Sequence, residues 1–494
     1  MPITDFTIDL HTHPNYKAFG RSFRTAPGTQ SNSSNDRSSL WFYDAPTFVD
    51  KLLNDIGGIT KFSQANMAAA AYGKLAVLVV AMGSIEKWFF NNRSGTGIFA
   101  DLLEAFATEM GKPRLDAIQG MQDYFSDLML EFDFITAMHN VTVKVDGTKY
   151  QYRIVNNFQE LNAAMEENTA KIENRLDNQP FVIAIILSIE GLHVLNCGID
   201  PDRGPANIRA DPDEVKQHAK DLKNQQVRPW FITFAHHFYN ELCGHSQSLR
   251  GLVATKCDQQ VGLNTGFTPL GREVLDILLD DTGGKRILID IKHLSPQARQ
   301  EFFQIRQQKY PDIPIFMSHG VANGLPDMNT PFSKYPEIGN TLNNGEINFY
   351  DDELLLMARS GGIIALQLDE RRLASEETVK RVKHSFFRNK IMHYRSQLLW
   401  NQIQYIAELL DDNGLYAWGN IGIGSDYDGI VDPLNSFWTV EQYPELKSYL
   451  ERHAFNYIQN NSGRLKNTFN RISADVIVQN IFQTNAWTFL ERWF

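Results

Sequence analysis

Eight short apolar runs, each bounded by turn residues, constrain the fold of this chain more than any other feature. They are residues 6–10 (FTIDL), 75–82 (LAVLVVAM), 181–187 (FVIAIIL), 230–234 (WFITF), 286–291 (RILIDI), 313–317 (IPIFM), 362–368 (GIIALQL) and 421–424 (IGIG). Strands of a parallel sheet are covered on both faces, so they read as unbroken apolar stretches rather than alternating ones. Between most of the runs lie segments with helical periodicity, among them 213–224, 270–279, 295–308 and 351–359. Ser295-Pro296 opens the third with an N-cap residue and proline at the first helical position. Strands alternating with helices predict an α/β fold, a (β/α)8 TIM-type barrel with insertions, with an open doubly wound sheet as the alternative.

The residues that follow the runs are more telling than the runs themselves. His11-Thr12-His13 follows the first, Ser188-Ile189-Glu190-Gly191 the third and His236-His237 the fourth. Lys292-His293 follows the fifth, Ser318-His319-Gly320 the sixth, and Ser425-Asp426-Tyr427-Asp428-Gly429 the eighth. Six of the 13 histidines therefore stand just after predicted strands. In a barrel those positions converge on one mouth, where the chemistry is kept.

A single barrel over residues 1–494 accommodates the length. Residues 110–175 read as an insertion, helical and then a hairpin around Asp146-Gly147, and 440–494 as a C-terminal helical extension. Residues 28–39 (GTQSNSSNDRSS) are low in complexity and predict a mobile surface loop. With 43% hydrophobic and 12% aromatic residues there is material for a large core. A formal net charge of −11 argues against nucleic acid or an anionic membrane as partner. The three cysteines, Cys197, Cys243 and Cys257, are odd in number and lack zinc-site or redox spacing, which fits a reducing compartment. The N-terminal stretch MPITDFTIDL lacks the pattern of a signal peptide, and no apolar stretch is long enough to span a bilayer. The expectation is a cytoplasmic protein.

Divalent zinc favours imidazole nitrogen and carboxylate oxygen, and a catalytic site leaves a position open for water. His11 and His13 alternate on a strand, so both side chains face the same way. One such HxH is common by chance. Histidines after runs one, four, five and six, a glutamate after three and an aspartate after eight are hard to explain as packing, because buried unpaired charge is costly. Two divalent ions sharing a carboxylate would lower the pKa of a bridging water, and the hydroxide would attack an amide or ester carbonyl. A nearby carboxylate accepts the proton, and a positioned imidazole stabilises the oxyanion.

The histidine pair His11/His13, SIEG, FITFAHH, GLNTGFTPLGREV, LIDIKHLS, PIFMSHG and GIGSDYDG resemble, in order, motifs of the membrane (renal) dipeptidase family of the amidohydrolase superfamily. Tyr443-Pro444-Glu445-Leu446 and the closing 485–492 (NAWTFLER) extend the likeness to nearly the whole chain. The resemblance implies that His11 and His13 bind a first, more buried metal, that Glu190 bridges two metals, and that His293 and His319 bind the second. His236 would contact substrate and stabilise the oxyanion, and Asp426 would hold the bridging water and shuttle its proton. The implied cofactor is one or two divalent ions, Zn2+ first among them. The implied reaction is hydrolysis of a dipeptide or related small amide by a metal-bridged hydroxide, with a homodimer as a family-level expectation.

Two features depart from that pattern. The second ligand on strand one is usually aspartate, and here it is His13. The family carries an arginine after the strand-six histidine that pairs with the substrate carboxylate, whereas residues 320–353 contain none and Lys334 is their only cation. Lys334 is therefore the candidate anchor, and two further readings stay open: an amidohydrolase of lactones, cyclic amides or other non-peptide substrates, and a catalytically silent binding barrel. Asp428 ranks second to Asp426, on the same face of a strand end. His237 and Lys292 are expected to point away from the ligands. His139, His193, His218, His245, His384, His393 and His453 lack a strand-end setting, and the glycines around 94–97 are followed by no lysine in phosphate-loop register.

Overall fold

The computed structural model describes residues 5–57, 60–90, 109–199, 209–249, 257–382, 388–429 and 432–494; the 94–97 stretch and His384 lie outside them. Among the described residues there are ten strands: β1 (Thr7–Thr12), β2 (Leu75–Met82), β3 (Val143–Val145), β4 (Thr148–Ile154), β5 (Phe181–Glu190), β6 (Phe231–Thr233), β7 (Leu288–Asp290), β8 (Met317–Gly320), β9 (Ile364–Leu366) and β10 (Ile421–Ile423). All eight apolar runs overlap a strand. β1, β2, β5, β6 and β7 pair in parallel in that order. β8, β9 and β10 form a second parallel sheet. Isolated parallel bridges join the sheets at both margins, Asp290 with Phe316 and Thr12 with Tyr427.

The apolar run before β8 begins pairing later than the sequence suggests. Pro314 lacks the backbone donor a ladder needs, and Ile315 N instead donates to Ser360 Oγ at 2.9 Å. The expected hairpin forms. Asp146 and Gly147 both have positive φ (45° and 78°), as a two-residue turn between twisted strands requires. β4 then adds in parallel to the N-terminal half of β5, while β6 takes the same edge at the C-terminal end of β5.

Three helices that follow strands open alike, with a capping side chain and then proline. Asp211 accepts from Asp213 N before Pro212–Asn224, Thr268 from Gly271 N before Pro269–Leu279, and Ser295 from Ala298 N before Pro296–Lys309. The caps fix how each chain leaves the strand-end rim. The C-terminal helices Tyr443–Asn461, Ala474–Gln479 and Asn485–Trp493 cover the opposite end: Trp487 packs edge-on against Phe6, and Trp230 Nε1 donates to Trp493 O. The 28–39 loop is more firmly held than its composition suggests. Gln30 Nε2 donates to Phe134 O and Tyr152 Oη, and Gln30 Oε1 accepts from Leu40 N. Among the described residues, no helix is long and apolar enough to cross a membrane.

Candidate metal centre

Glu190 ends β5 and lies at the centre of a ring of imidazoles. Its Oε2 is 3.1 Å from His13 Nε2 and 3.5 Å from His236 Nε2. Its Oε1 is 3.6 Å from His11 Nε2, 3.3 Å from His293 Nε2 and 3.4 Å from His319 Nε2. Asp426 Oδ1 completes one side, 3.3 Å from His13 Nε2 and 3.9 Å from His11 Nε2. Of the four potential ligand groups among the described residues, two centre on Glu190: His11, His13, Glu190 and Asp426, and Glu190, His293 and His319. They share Glu190, so the carboxylate singled out as a bridge is the one residue common to both. Burial would raise the Glu190 carboxyl, but His236 and His11 outweigh it and hold it well below the ordinary range.

The outer hydrogen bonds fix which nitrogens face inward. His13 Nδ1 lies 3.1 Å from Ala81 O, and a carbonyl can only accept, so Nδ1 carries the proton. Ser318 Oγ donates to Asp290 Oδ2 at 2.6 Å, so it accepts from His11 Nδ1 (2.9 Å) and His319 Nδ1 (3.0 Å). In their neutral form these three imidazoles therefore present Nε2 lone pairs to the interior. His11 and His13 Nε2 stand only 3.1 Å apart, and His319 Nε2 is buried without a hydrogen-bond partner. Lone pairs facing each other and a carboxylate repel unless a cation lies among them. The donor set thus fits divalent metal, with Ala81 O and the Ser318–Asp290 pair holding the rings in place.

The rim of the cluster holds Asp426 and His236. Asp426 Oδ2 accepts from Gln367 Nε2 at 2.7 Å, which leaves Oδ1 toward the cluster. His236 Nδ1 is 2.7 Å from Glu86 Oε2, and Glu86 Oε1 accepts from His237 N and Phe238 N. Burial pushes Glu86 up, yet His236, His193 and those N–H groups bring it down to about 2. Tyr16 stacks on the His13 ring, centroids 4.4 Å apart.

Strand-end alternation fails at several residues, because the backbone leaves the extended region there. His293, Asp426 and Asp428 have φ of 65°, 62° and 68°, a left-handed conformation that non-glycine residues adopt at a cost. Asp428 therefore does not share the face of Asp426. It accepts from Lys17 Nζ, Ser63 Oγ, Gln64 N and Ala65 N, and so pins loops. Lys292 does not point away from the ligands either: its buried Nζ is 3.4 Å from Gln367 Oε1, the residue that holds Asp426. Nor does His237. It lies beyond the end of β6, with its ring 4.0 Å from His236 and 5.1 Å from His293. His193 stands behind His236 and bonds Ser84 O through Nε2. Lys334 sits exposed in the short turn Phe332–Lys334, and no described contact links it to the cluster.

Four residues of the site escape a reading of strand ends. Glu86 is four residues past β2, and a search slightly beyond that run would reach it. Asp290 and Gln367 are polar interruptions of apolar runs, a signal in themselves. Ser318 shows nothing in sequence except its place beside His319.

Buried imidazoles around a shared carboxylate, at the C-terminal ends of parallel strands, define a metal-dependent hydrolase. Residues 119–461 match the profile of membrane dipeptidase (peptidase family M19), and the chain belongs to that family. The match begins after β1, so His11 and His13 rest on the geometry. Two solved structures are similar over the whole length. One is a metallo peptidase from Rhodobacter sphaeroides, liganded with a phosphinate mimic of the dipeptide L-Ala-D-Ala. It is 13% identical, covers 100% of both chains and has a TM-score of 0.52. The other is dipeptidase AC, a metallo peptidase of family M19, 12% identical over 99% of both chains with a TM-score of 0.51. At these identities the likeness speaks for the fold alone. No curated protein matches the chain.

Proposed function

We propose that this chain is a zinc-dependent dipeptidase built on a closed (β/α)8 barrel. The eight parallel strands, linked at both margins by bridges, support the barrel reading. The observation that carries the function is Glu190, shared between two sets of imidazole ligands with Asp426 beside one of them. His11 and His13 would hold one ion and His293 and His319 the other, a nitrogen-rich set that suits zinc. Bound there, divalent ions supply Lewis acidity and a water nucleophile available at neutral pH.

The chain supplies the rest. Gln367 immobilises Asp426 Oδ2, so Oδ1 is free to take the proton of the attacking water and return it to the leaving amine. Burial would lower the His236 imidazole, but Glu86, which accepts from Nδ1, and Glu190 raise it, so the imidazolium carries an Nε2–H toward the cluster that can donate to the substrate's carbonyl oxygen. The deciding experiment screens purified protein, stripped of metal and reloaded with zinc or manganese, against L-Xaa–L-Xaa and L-Xaa–D-Xaa dipeptides and a panel of lactones. Dipeptide cleavage that stops on chelation and returns with metal is expected. Lactone turnover without peptide turnover would move the chain to the wider amidohydrolases, and no metal uptake on reconstitution would refute both.

A further inference from the structure

Tyr16 brings to the cluster a hydroxyl that the fold does not use. It stands three residues past His13, and its ring stacks on that imidazole, centroids 4.4 Å apart at 27°. The stack exists because residue 13 is a histidine; the aspartate usual at that ligand position offers no ring. Phenylalanine would stack as well, so the contact with His13 does not account for the phenol. Among the described residues Tyr16 Oη makes no hydrogen bond. Apart from burial, the groups that act on it are, strongest first, Glu190, Glu131, Glu86 and Asp426. Glu190 and Glu86 flank His236, and Asp426 flanks His13. The two oxygens of Glu190 divide the rings around it. Oε1 faces His11, His293 and His319, whereas Oε2 faces His13 and His236. Tyr16, lying on the His13 ring, therefore stands on the His236 side. Tyr16 and His236 are both part-exposed, while His11, His13, Glu190, His293 and His319 are buried. The open face of the cluster is thus lined by these two side chains, and a substrate reaching the ligands passes between them.

We propose that Tyr16 is a catalytic residue whose hydroxyl, together with His236, donates to the carbonyl oxygen of the scissile bond as that oxygen becomes an oxyanion. This rests on the hydrolase reading of the site and applies to an amide and a lactone alike. The phenol keeps its proton throughout; no bond to Tyr16 forms or breaks. Donors aimed at charge that develops only in the transition state raise kcat and leave ground-state binding nearly unchanged. Tyr16 and His13 then form a paired departure from the family pattern, in which the ring that replaces a carboxylate ligand carries the ring that supplies the donor.

The test compares wild type, Tyr16→Phe and Tyr16→Leu on the dipeptide or lactone that the substrate screen identifies, with zinc content measured for each. Tyr16→Phe keeps the stack on His13 and should keep its zinc, while kcat falls roughly 100- to 1,000-fold and KM stays within about twofold. Tyr16→Leu removes the ring as well and should also weaken zinc binding, which separates support of His13 from donation. Near-normal kcat in Tyr16→Phe would overturn the role. So would a rise in KM that accounts for the whole loss of kcat/KM, since the hydroxyl would then serve ground-state binding, for instance of a substrate amine. Calorimetric titration of zinc-loaded protein with a phosphinate isostere of Ala–Ala gives a readout independent of turnover. Tyr16→Phe should weaken its binding roughly 10- to 100-fold relative to wild type. That result supports the donor even if no dipeptide is cleaved. Equal binding by the two proteins, or none by wild type, refutes it whatever the protein hydrolyses.

Discussion

Asp426 illustrates how much a single side chain depends on its neighbours. One oxygen is fixed by Gln367 and the other faces His13, so the carboxylate has one free role, accepting a proton at Oδ1. Asp426→Asn keeps the shape and removes the acceptor. We expect kcat to fall roughly 100- to 10,000-fold, with the fold intact by circular dichroism and zinc still present by elemental analysis. Near-normal turnover would assign the proton transfer to another group. The choice of Asp426 over Asp428 follows from sequence only as a ranking. What separates them is a pair of left-handed backbone conformations, which no periodicity records. For the same reason Lys292 and His237 were not legible as neighbours of the cluster, whereas His11 and His13, on an extended strand, were.

At the scale of elements, the strands were readable because both of their faces are buried. β2 and β5 are apolar along nearly their whole length, and each buried side chain of this kind contributes about 1.5–3 kcal/mol. Their ends were less readable: β1 and β5 run on through His11 and Glu190, so ligands expected beyond the strands are part of them. β7 and β8 cooperate through Asp290 and Ser318, since one hydroxyl accepts from two ligand imidazoles while bonded to one carboxylate. Ser318→Ala leaves both Nδ1 protons without their acceptor and frees the rings to turn. Zinc affinity should drop roughly 10- to 100-fold, as read by competition with a chromophoric chelator. An unchanged affinity would mean that packing alone orients His11 and His319.

The whole molecule also buries an acid just behind the metal cluster. Glu131 is fully enclosed beside Asn15 and Gly83 N, and burial pushes its carboxyl up to about 8, against an ordinary value of 4.5. The folded chain therefore keeps a proton that the unfolded chain releases near 4.5. Between those limits the folded state binds more protons, so this contribution to stability is complete below about 4.5 and is lost as pH rises through about 8. Glu131→Gln mimics the protonated form, and the difference in urea midpoint between variant and wild type should grow in the variant's favour from pH 5 to pH 8, about the window those two values bracket. A difference that stays flat across that window would mean Glu131 is ionised when folded.

The bridge between Thr12 and Tyr427, and the bond from Asp426 N to His11 O, bring together positions more than 400 residues apart in the chain. During synthesis His11 and His13 leave the ribosome early and wait for Asp426 until translation is nearly over. Until then the nascent polypeptide carries two histidines that can bind stray metal but lack the partner that closes their site. Long-range closure of this kind is slow. Completion of the cluster is thereby tied to the nearly finished chain, and a product truncated before residue 426 would keep His11, His13 and Glu190 but lack the carboxylate beside them.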